Sequence, residues 1–167
     1  MAYDPQAWHE YYVMLGSAAA ALAGLVFVGL SIHADAVALD PLHRVRARNL
    51  TAGIIYVTAV AALMLTPGQG RHALGAELIL GGLIIGWLFA TPLRRFGERI
   101  SGGVRLRMIV SVSACLISVA AGVSQVAHRG GGLYLLVPAA IAGVTLNVFG
   151  AWSLLIDLAE ERELEAE

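Results

Sequence analysis

Charged residues and cysteine are both scarce in this chain. Only 14% of its 167 residues are charged, and all 11 basic residues are arginine, so lysine is absent. Because about a quarter of the residues of a soluble domain are charged, this composition excludes an ordinary water-soluble globule. The single cysteine, Cys115, lies in the middle of an apolar run. That position excludes a disulfide framework and a Cys/His zinc site.

Small and aliphatic residues are abundant instead. Hydrophobic residues make up 58% of the chain, aromatic residues only 7%, and 19 residues are glycine. This composition, with a mean hydropathy of +0.74, is typical of closely packed transmembrane helices. The first ten residues contain no Lys or Arg and so lack the positive region of a cleavable signal peptide. We therefore expect the first apolar segment to remain as a membrane helix.

Long apolar runs define the architecture, because a helix needs about 20 apolar residues to cross the roughly 30 Å hydrocarbon core. Five segments meet this condition, at about 12–32, 50–66, 74–91, 108–127 and 133–156. The sequence therefore predicts an all-α integral membrane protein, a single domain built as a bundle of five transmembrane helices. The second and third segments are short and a Pro-Gly-Gln-Gly turn joins them. A re-entrant hairpin is thus the alternative to two full crossings.

The arginines fall almost entirely in alternate loops, and short arginine-rich loops stay on the cytoplasmic side. Arg71 and Arg129 are the only arginines in the other two loops, and Arg162 follows the fifth helix. We therefore expect the N-terminus outside and the acidic tail, residues 157–167, in the cytoplasm. The loop arginines on the expected inner side are Arg44, Arg46, Arg48, Arg94, Arg95, Arg99, Arg105 and Arg107.

Two stretches in the first half of the chain carry a family resemblance. One is Trp8 followed by the run Gly16–Ile32, and the other is Leu65–Gln69 together with Leu74–Leu78. In these features the chain resembles an uncharacterised family of small multi-pass membrane proteins of high-GC Gram-positive bacteria, sometimes automatically labelled modulator of FtsH protease. The resemblance implies a multi-pass protein of the bacterial plasma membrane. It implies no activity, because that label belongs to seven-helix proteins and this chain is too short for seven crossings.

Small residues recur every four positions in three of the predicted helices. In lipid, where no hydrophobic drive brings helices together, small residues allow the close backbone approach that holds them. The pattern therefore predicts contact faces, either within the chain or as the seam of a homo-oligomer or a larger complex. The residues are Gly16, Ala20 and Gly24 in the first helix, Gly82, Gly86 and Ala90 in the third, and Ala139, Gly143 and Asn147 in the fifth.

The fourth predicted helix carries one continuous polar stripe. Ser111, Cys115, Ser118, Gly122 and Gln125 follow one another at spacings of four, three, four and three residues. A polar stripe in lipid must face protein or water. Hydrogen bonding between helices is one interpretation, and a pore lining shared by several copies is the other. The amide of Asn147 in the fifth helix is open to the same two interpretations.

The turn after the second helix places several polar groups together. Gln69, Arg71 and His72 follow Pro67, and Glu77 is the one acidic residue inside an apolar segment. Glu77 either caps the start of the third helix or completes a small polar cradle for an ion, a headgroup or a partner loop.

Histidines and acids on the expected outer side suggest a cluster, formed by His9, Glu10, His72, Glu77 and His128. No HExxH motif or paired helical spacing supports a metal site there, so neither a metal nor a cofactor is predicted.

Motif searches find no nucleophile elbow, no phosphate-binding loop and no dinucleotide fingerprint. We therefore expect a non-enzymatic accessory or regulatory subunit that acts through helix faces and is oligomeric or bound to a larger membrane protein. The alternatives are a homo-oligomeric channel lined by the fourth or fifth helix, and a membrane enzyme or a haem or quinone carrier that uses the outer histidines. The arginine-rich loops predict contact with anionic lipid headgroups, not with nucleic acid.

Overall fold

The computed structural model of the chain describes residues 2–96 and 102–166, with side chains except at 93, 95, 96 and 161–166. Arg99 and the side chains of Arg95 and Arg162 therefore lie outside the described residues. All regular structure in the described part is helical. The helices are α1 (His9–Ile32), α2 (Ala34–Leu39), α3 (Pro41–Leu65), α4 (Arg71–Phe96), α5 (Gly102–Ala127) and α6 (Leu136–Ala166), with short 3-10 turns at Pro5–Trp8 and Gly132–Leu135.

Five of these helices are long and apolar enough to cross a membrane, which confirms the predicted all-helical class and the predicted number of helices of that length. The second and third predicted helices correspond to α3 and α4, which have 25 and 26 residues. At a rise of about 1.5 Å per residue, α3 is about 37 Å long, more than the roughly 30 Å of a hydrocarbon core. Both helices thus have the length for full crossings, and the shortness that suggested a re-entrant hairpin is absent.

The helices extend beyond the predicted apolar segments where arginines lie. α3 begins at Pro41 and α5 at Gly102, whereas the apolar segments begin only at about 50 and 108. The apolar criterion stops at the first arginine, but a helix continues past it because the long side chain carries its charge to water. Asp40 fixes the start of α3, since its carboxylate accepts a hydrogen bond from Leu42 N at 2.8 Å and Pro41 occupies the first turn.

The antiparallel course of the five long helices gathers the connections into two ends. The turn end holds the N-terminal residues 2–8, the turn 67–70 and the loop 128–132. The Arg-rich end holds α2, the beginnings of α3 and α5, and the end of α6. Pro67 ends α3 by keeping Thr66 extended, at φ −67° and ψ 118°.

α3 lies at the centre of the bundle. It packs on α1, α4 and α6, while α5 packs on α4 and α6. Two apolar clusters form the core, one towards each end. The cluster towards the turn end includes Tyr12, Leu15, Val57, Ala61, Met64, Leu74, Leu78 and Leu133. The cluster towards the Arg-rich end includes Val26, Ala47, Leu50, Ile54, Leu154 and Leu158.

Candidate functional site

The polar stripe predicted on the fourth helix lies on α5 and faces the inside of the bundle. Cys115, Ser118 and Gln125 are buried, at 2%, 3% and 0% exposure, and Ser111 is half-buried. A pore that several copies build around a shared axis needs this stripe on the outside of each chain. Here the chain's own helices cover the stripe.

A cavity of about 50 Å³ lies against the middle of this stripe and is also lined by Tyr56 and Asn147. Ser118 and Asn147 each donate to the backbone of their own helix, to Ala114 O at 3.2 Å and to Gly143 O at 2.7 Å. Asn147 is buried against α3 at Gly53, which has no side chain. A Cβ on Gly53 would lie 2.7 Å from Asn147 Oδ1, so only glycine leaves room for the amide there. The centre of the bundle therefore combines polar groups with a small cavity.

The N-terminal residues close this interior at the turn end. Gln125 Nε2 donates to Tyr3 O at 2.9 Å, and Leu133 N donates to Ala2 O at 2.7 Å. Gly132 lies next to the N-terminal segment and has φ +55°, and a Cβ there would collide with Ala2 O. The conformation of the loop thus depends on glycine, and the loop in turn holds the N-terminal segment over Gln125.

Aromatic side chains surround the same end. Tyr3 stacks on His128 with ring centroids 4.3 Å apart, and Trp8 makes an edge contact with Tyr134 at 4.7 Å. Trp and Tyr favour the level of the lipid headgroups because they combine an apolar ring with a polar tip. This belt is consistent with a membrane interface at the turn end.

A charged cluster closes the interior at the Arg-rich end. Arg46 Nη1 donates to Asp157 Oδ2 at 2.6 Å, and its Nη2 lies 3.3 Å from Ser153 Oγ. Arg107 Nη1 donates to Ser153 Oγ at 2.8 Å and to Phe149 O at 3.2 Å. The side chain of Arg46 is only 12% exposed. Three helices, α3, α5 and α6, are thus joined by side-chain hydrogen bonds at this end.

A second cavity, of about 70 Å³, lies between this cluster and the centre of the bundle. Its polar lining comprises Arg46, Asn49, Arg107, Ser111 and Asn147. Ser111 and Asn147 also line the central cavity, so the two cavities adjoin. Both side-chain polar atoms of Asn49 are buried without a hydrogen-bond partner.

The predicted polar turn is partly assembled. Gln69 Nε2 donates to a carboxylate oxygen of Glu77, while Arg71 and His72 are exposed. Because α4 already begins at Arg71, Glu77 lies in its second turn and no acidic residue occupies the first. The interpretation of Glu77 as an N-terminal cap is therefore wrong, and its hydrogen bond with Gln69 links the turn to α4.

The outer histidine cluster does not form a metal site. Among the described residues, no three His, Cys, Asp or Glu side chains come close enough together to hold a metal ion. His128 instead stacks on Tyr3.

The predicted small-residue faces divide into covered and uncovered positions. A Cβ on Gly16 would lie 3.2 Å from Ala61 Cβ, one on Gly143 3.2 Å from Val57 Cγ2, and one on Gly86 3.2 Å from Cys115 Cβ. A Cβ on Gly82 would lie 2.9 Å from Cys115 O. α4 and α5 are therefore closer together at Gly82 than at Gly86. These residues pack inside the chain, as the pattern allowed.

Ala20 and Gly24 of the first helix are exposed, and a Cβ on Gly24 would meet no atom of another helix within 4 Å in the part of the chain that the structure describes. Gly24 belongs to an uncovered stripe along α1, at spacings of four, three, four and three residues. Its members are Ser17, Ala21, Gly24, Val28 and Ser31, all exposed. We call this stripe the outward face of α1.

A groove of about 460 Å³ lies between the beginning of α3 and the end of α4, at the Arg-rich end. Arg44 and Arg48 line one wall and Trp87, which is 70% exposed, lines the other. The groove combines two cations with an aromatic ring.

Sequence reasoning missed Asn49 and treated Arg46 and Arg107 only as loop charges. One signal was available: Ser153 and Asp157 lie four residues apart at the end of an apolar helix, which places two polar groups on one helix face. A hydroxyl and a carboxylate on one helix face indicate a hydrogen-bond donor on a neighbouring helix, here the guanidinium groups of Arg46 and Arg107.

Comparison of the chain with protein-family models, with curated proteins and with solved structures gives no significant match, so the family resemblance remains a prediction.

Proposed function

We propose that this chain is a non-enzymatic accessory or regulatory subunit that binds a larger membrane protein through the outward face of α1. The observation that carries the proposal is the exposure of Ser17, Ala21 and Gly24 at coiled-coil spacing on α1, a helix long and apolar enough to cross a membrane. The predicted packing glycines of the other faces, by contrast, lie against a neighbouring helix. They are Gly16, Gly82, Gly86 and Gly143.

Small residues give a helix little to gain from lipid contact, but they let a second helix approach closely enough for extensive van der Waals contact. The spacing of four and three residues keeps such a contact in register along left-handed helix packing. α1 is also the least buried of the five spans, with 17% of its most apolar window buried. A partner helix would therefore cover the least covered surface of the bundle.

The proposed setting is the bacterial plasma membrane, with the turn end outside and the Arg-rich end in the cytoplasm. The asymmetry of the arginines supports this orientation. Reporter fusions after Glu167 are expected to report the cytoplasm, and fusions before Tyr3 the outside. Reports from the same side for both fusions would contradict the five-span orientation.

Anionic lipids are the proposed lipid partners of the Arg-rich end. In the groove between α3 and α4, Arg44 and Arg48 can bind the phosphate of a lipid headgroup, and Trp87 can contact the start of its acyl chains. Each arginine near the surface contributes about 1 kcal/mol to such contacts.

Extraction in a mild detergent, followed by mass spectrometry, tests the proposal of a larger partner. The wild-type chain is expected to co-purify with a larger membrane protein, and Gly24→Leu is expected to reduce the recovered partner at least tenfold because the leucine holds the helices apart. Ala120→Leu is the matched control, since Ala120 is an exposed small residue on α5, away from the outward face of α1.

Equal recovery of the partner from Gly24→Leu and wild type would show that the outward face of α1 contacts lipid. Purification as a homo-oligomer that Gly24→Leu dissociates would replace the larger partner with a second copy of the chain.

Permeation of a small solute through the single chain is the second candidate function. The two adjoining cavities favour it, because they place Ser111 and Asn147 along a polar path inside the bundle. The N-terminal segment over Gln125 would have to move. Flux into liposomes that contain the purified chain alone, lost in Asn147→Leu, would support permeation over the accessory role.

A further inference from the structure

The second cavity, at the Arg-rich end, has an unusual balance of charge. Arg46 and Arg107 line it, and none of its described lining residues is acidic. Asp157 pairs with Arg46, whereas no carboxylate of the described residues lies within ion-pair distance of Arg107. Two guanidinium groups against one carboxylate leave this cluster with a formal charge of +1. An anion that enters this partly open cavity would compensate that charge.

Asn49 supplies a second, independent observation at the same place. Its side chain is only 9% exposed, it lines the cavity, and neither its nitrogen nor its oxygen has a hydrogen-bond partner. A buried amide without a partner costs about 1–3 kcal/mol. It therefore indicates that a group inside the cavity accepts a hydrogen bond from Nδ2.

The remaining polar lining is suited to an acceptor as well. The hydroxyl of Ser111 can donate from α5, next to the N–H groups of Arg46, Arg107 and Asn49. The cavity, of about 70 Å³, has room for a group larger than one water. Water alone would satisfy the amide of Asn49 but would bring no negative charge to the two arginines.

We propose that this cavity binds a small monovalent anion of about the size of chloride, held by Asn49 and Ser111 between Arg46 and Arg107. The anion neutralises the cluster and links α3 to α5 at the Arg-rich end. The inference is independent of what the outward face of α1 contacts.

Thermal unfolding of the detergent-solubilised full chain tests this site, with chloride replacing gluconate at constant ionic strength. Wild type is expected to show a melting temperature that rises with chloride and saturates as for one site. Asn49→Leu and Arg107→Gln are expected to move the chloride midpoint at least tenfold higher. Arg105→Gln is the matched control, because Arg105 is exposed two residues away on α5 and does not line the cavity.

A variant whose own carboxylate takes the place of the bound anion gives a second test. Asn49→Asp places a carboxylate between the two arginines, so we expect its melting temperature to be independent of chloride and at least that of wild type in gluconate. If Asn49 served only as a packed amide, the same variant would bury a charge and melt lower than wild type in both salts.

Three results would overturn the proposal. One is a wild-type melting temperature that does not depend on chloride, which decides the question even if a variant fails to fold. Another is an equal chloride effect in wild type, Asn49→Leu and Arg107→Gln, which would identify a general salt effect. The third is loss of the chloride response in Arg105→Gln, which would place the anion on the surface.

Discussion

The α4–α5 interface and the outward face of α1 are both built from small residues, yet one is covered and the other is bare. Gly75 and Gly122 bring α4 and α5 so close that a Cβ on Gly122 would lie 2.6 Å from Gly75 O. Around Gly24 no described atom of another helix lies within 4 Å of such a Cβ. A small-residue pattern therefore identifies a contact face without saying which molecule provides the contact.

Leucine substitution should affect a covered glycine far more strongly than an uncovered one. Gly122→Leu inserts a side chain against the backbone of α4, and we expect a loss of stability at or above the roughly 1–3 kcal/mol typical of overpacking. Gly24→Leu should stay within about 0.5 kcal/mol of wild type in the isolated chain, because the leucine meets lipid or detergent. Thermal unfolding and monodisperse yield in detergent measure both. Equal losses would show that α1 is packed more tightly than the structure indicates.

Alanine at two glycines of α4 should change stability less than leucine at Gly122, and by different amounts at the two positions. A Cβ on Gly82 would lie 2.9 Å from the backbone oxygen of Cys115, whereas one on Gly86 would lie 3.2 Å from the Cβ of the same residue. Alanine gains about 0.5–1 kcal/mol of helix propensity over glycine. We therefore expect Gly82→Ala to destabilise the chain and Gly86→Ala to be nearly neutral in the same unfolding assay. The reverse order would contradict the helix contact described here.

Replacing the acid at the end of the bundle should have a smaller effect. Asp157→Asn removes the ion pair with Arg46, but Asp157 is 44% exposed, so we expect a loss of at most about 1 kcal/mol. Asp35→Asn is the control, because Asp35 is exposed on α2 at the same end. A loss of several kcal/mol in Asp157→Asn alone would show that this pair is a main support of α6.

The smallest effect is expected at the turn that separates α3 from α4. Glu77→Gln keeps an oxygen that can accept the hydrogen bond from Gln69, so stability should change by less than about 0.5 kcal/mol. A loss of partner recovery or solute flux at unchanged stability would instead identify the turn as a binding site. Wild-type behaviour in every assay would remove Glu77 from the functional residues.

Much of the fold could be predicted because lipid constrains the sequence directly. A run of about 20 apolar residues has few alternatives to a membrane helix, and the five runs correspond to α1, α3, α4, α5 and α6. The beginnings of α3 and α5 were missed, because arginine ends an apolar run without ending a helix. The burial of the α5 stripe was one of two open alternatives, since helical periodicity places residues on one face but does not say what that face meets.

The helical class, the five helices long enough to span a membrane and the uneven distribution of arginine all follow from local composition along the chain. The tertiary structure, by contrast, brings Arg46, Asn49 and Arg107 to one cavity. It also decided that Gln125 lies beneath Tyr3 and that the outward face of α1 is bare. These results depend on how each helix is rotated about its axis and which helix becomes its neighbour. Packing between different helices sets that rotation, and no local pattern encodes it.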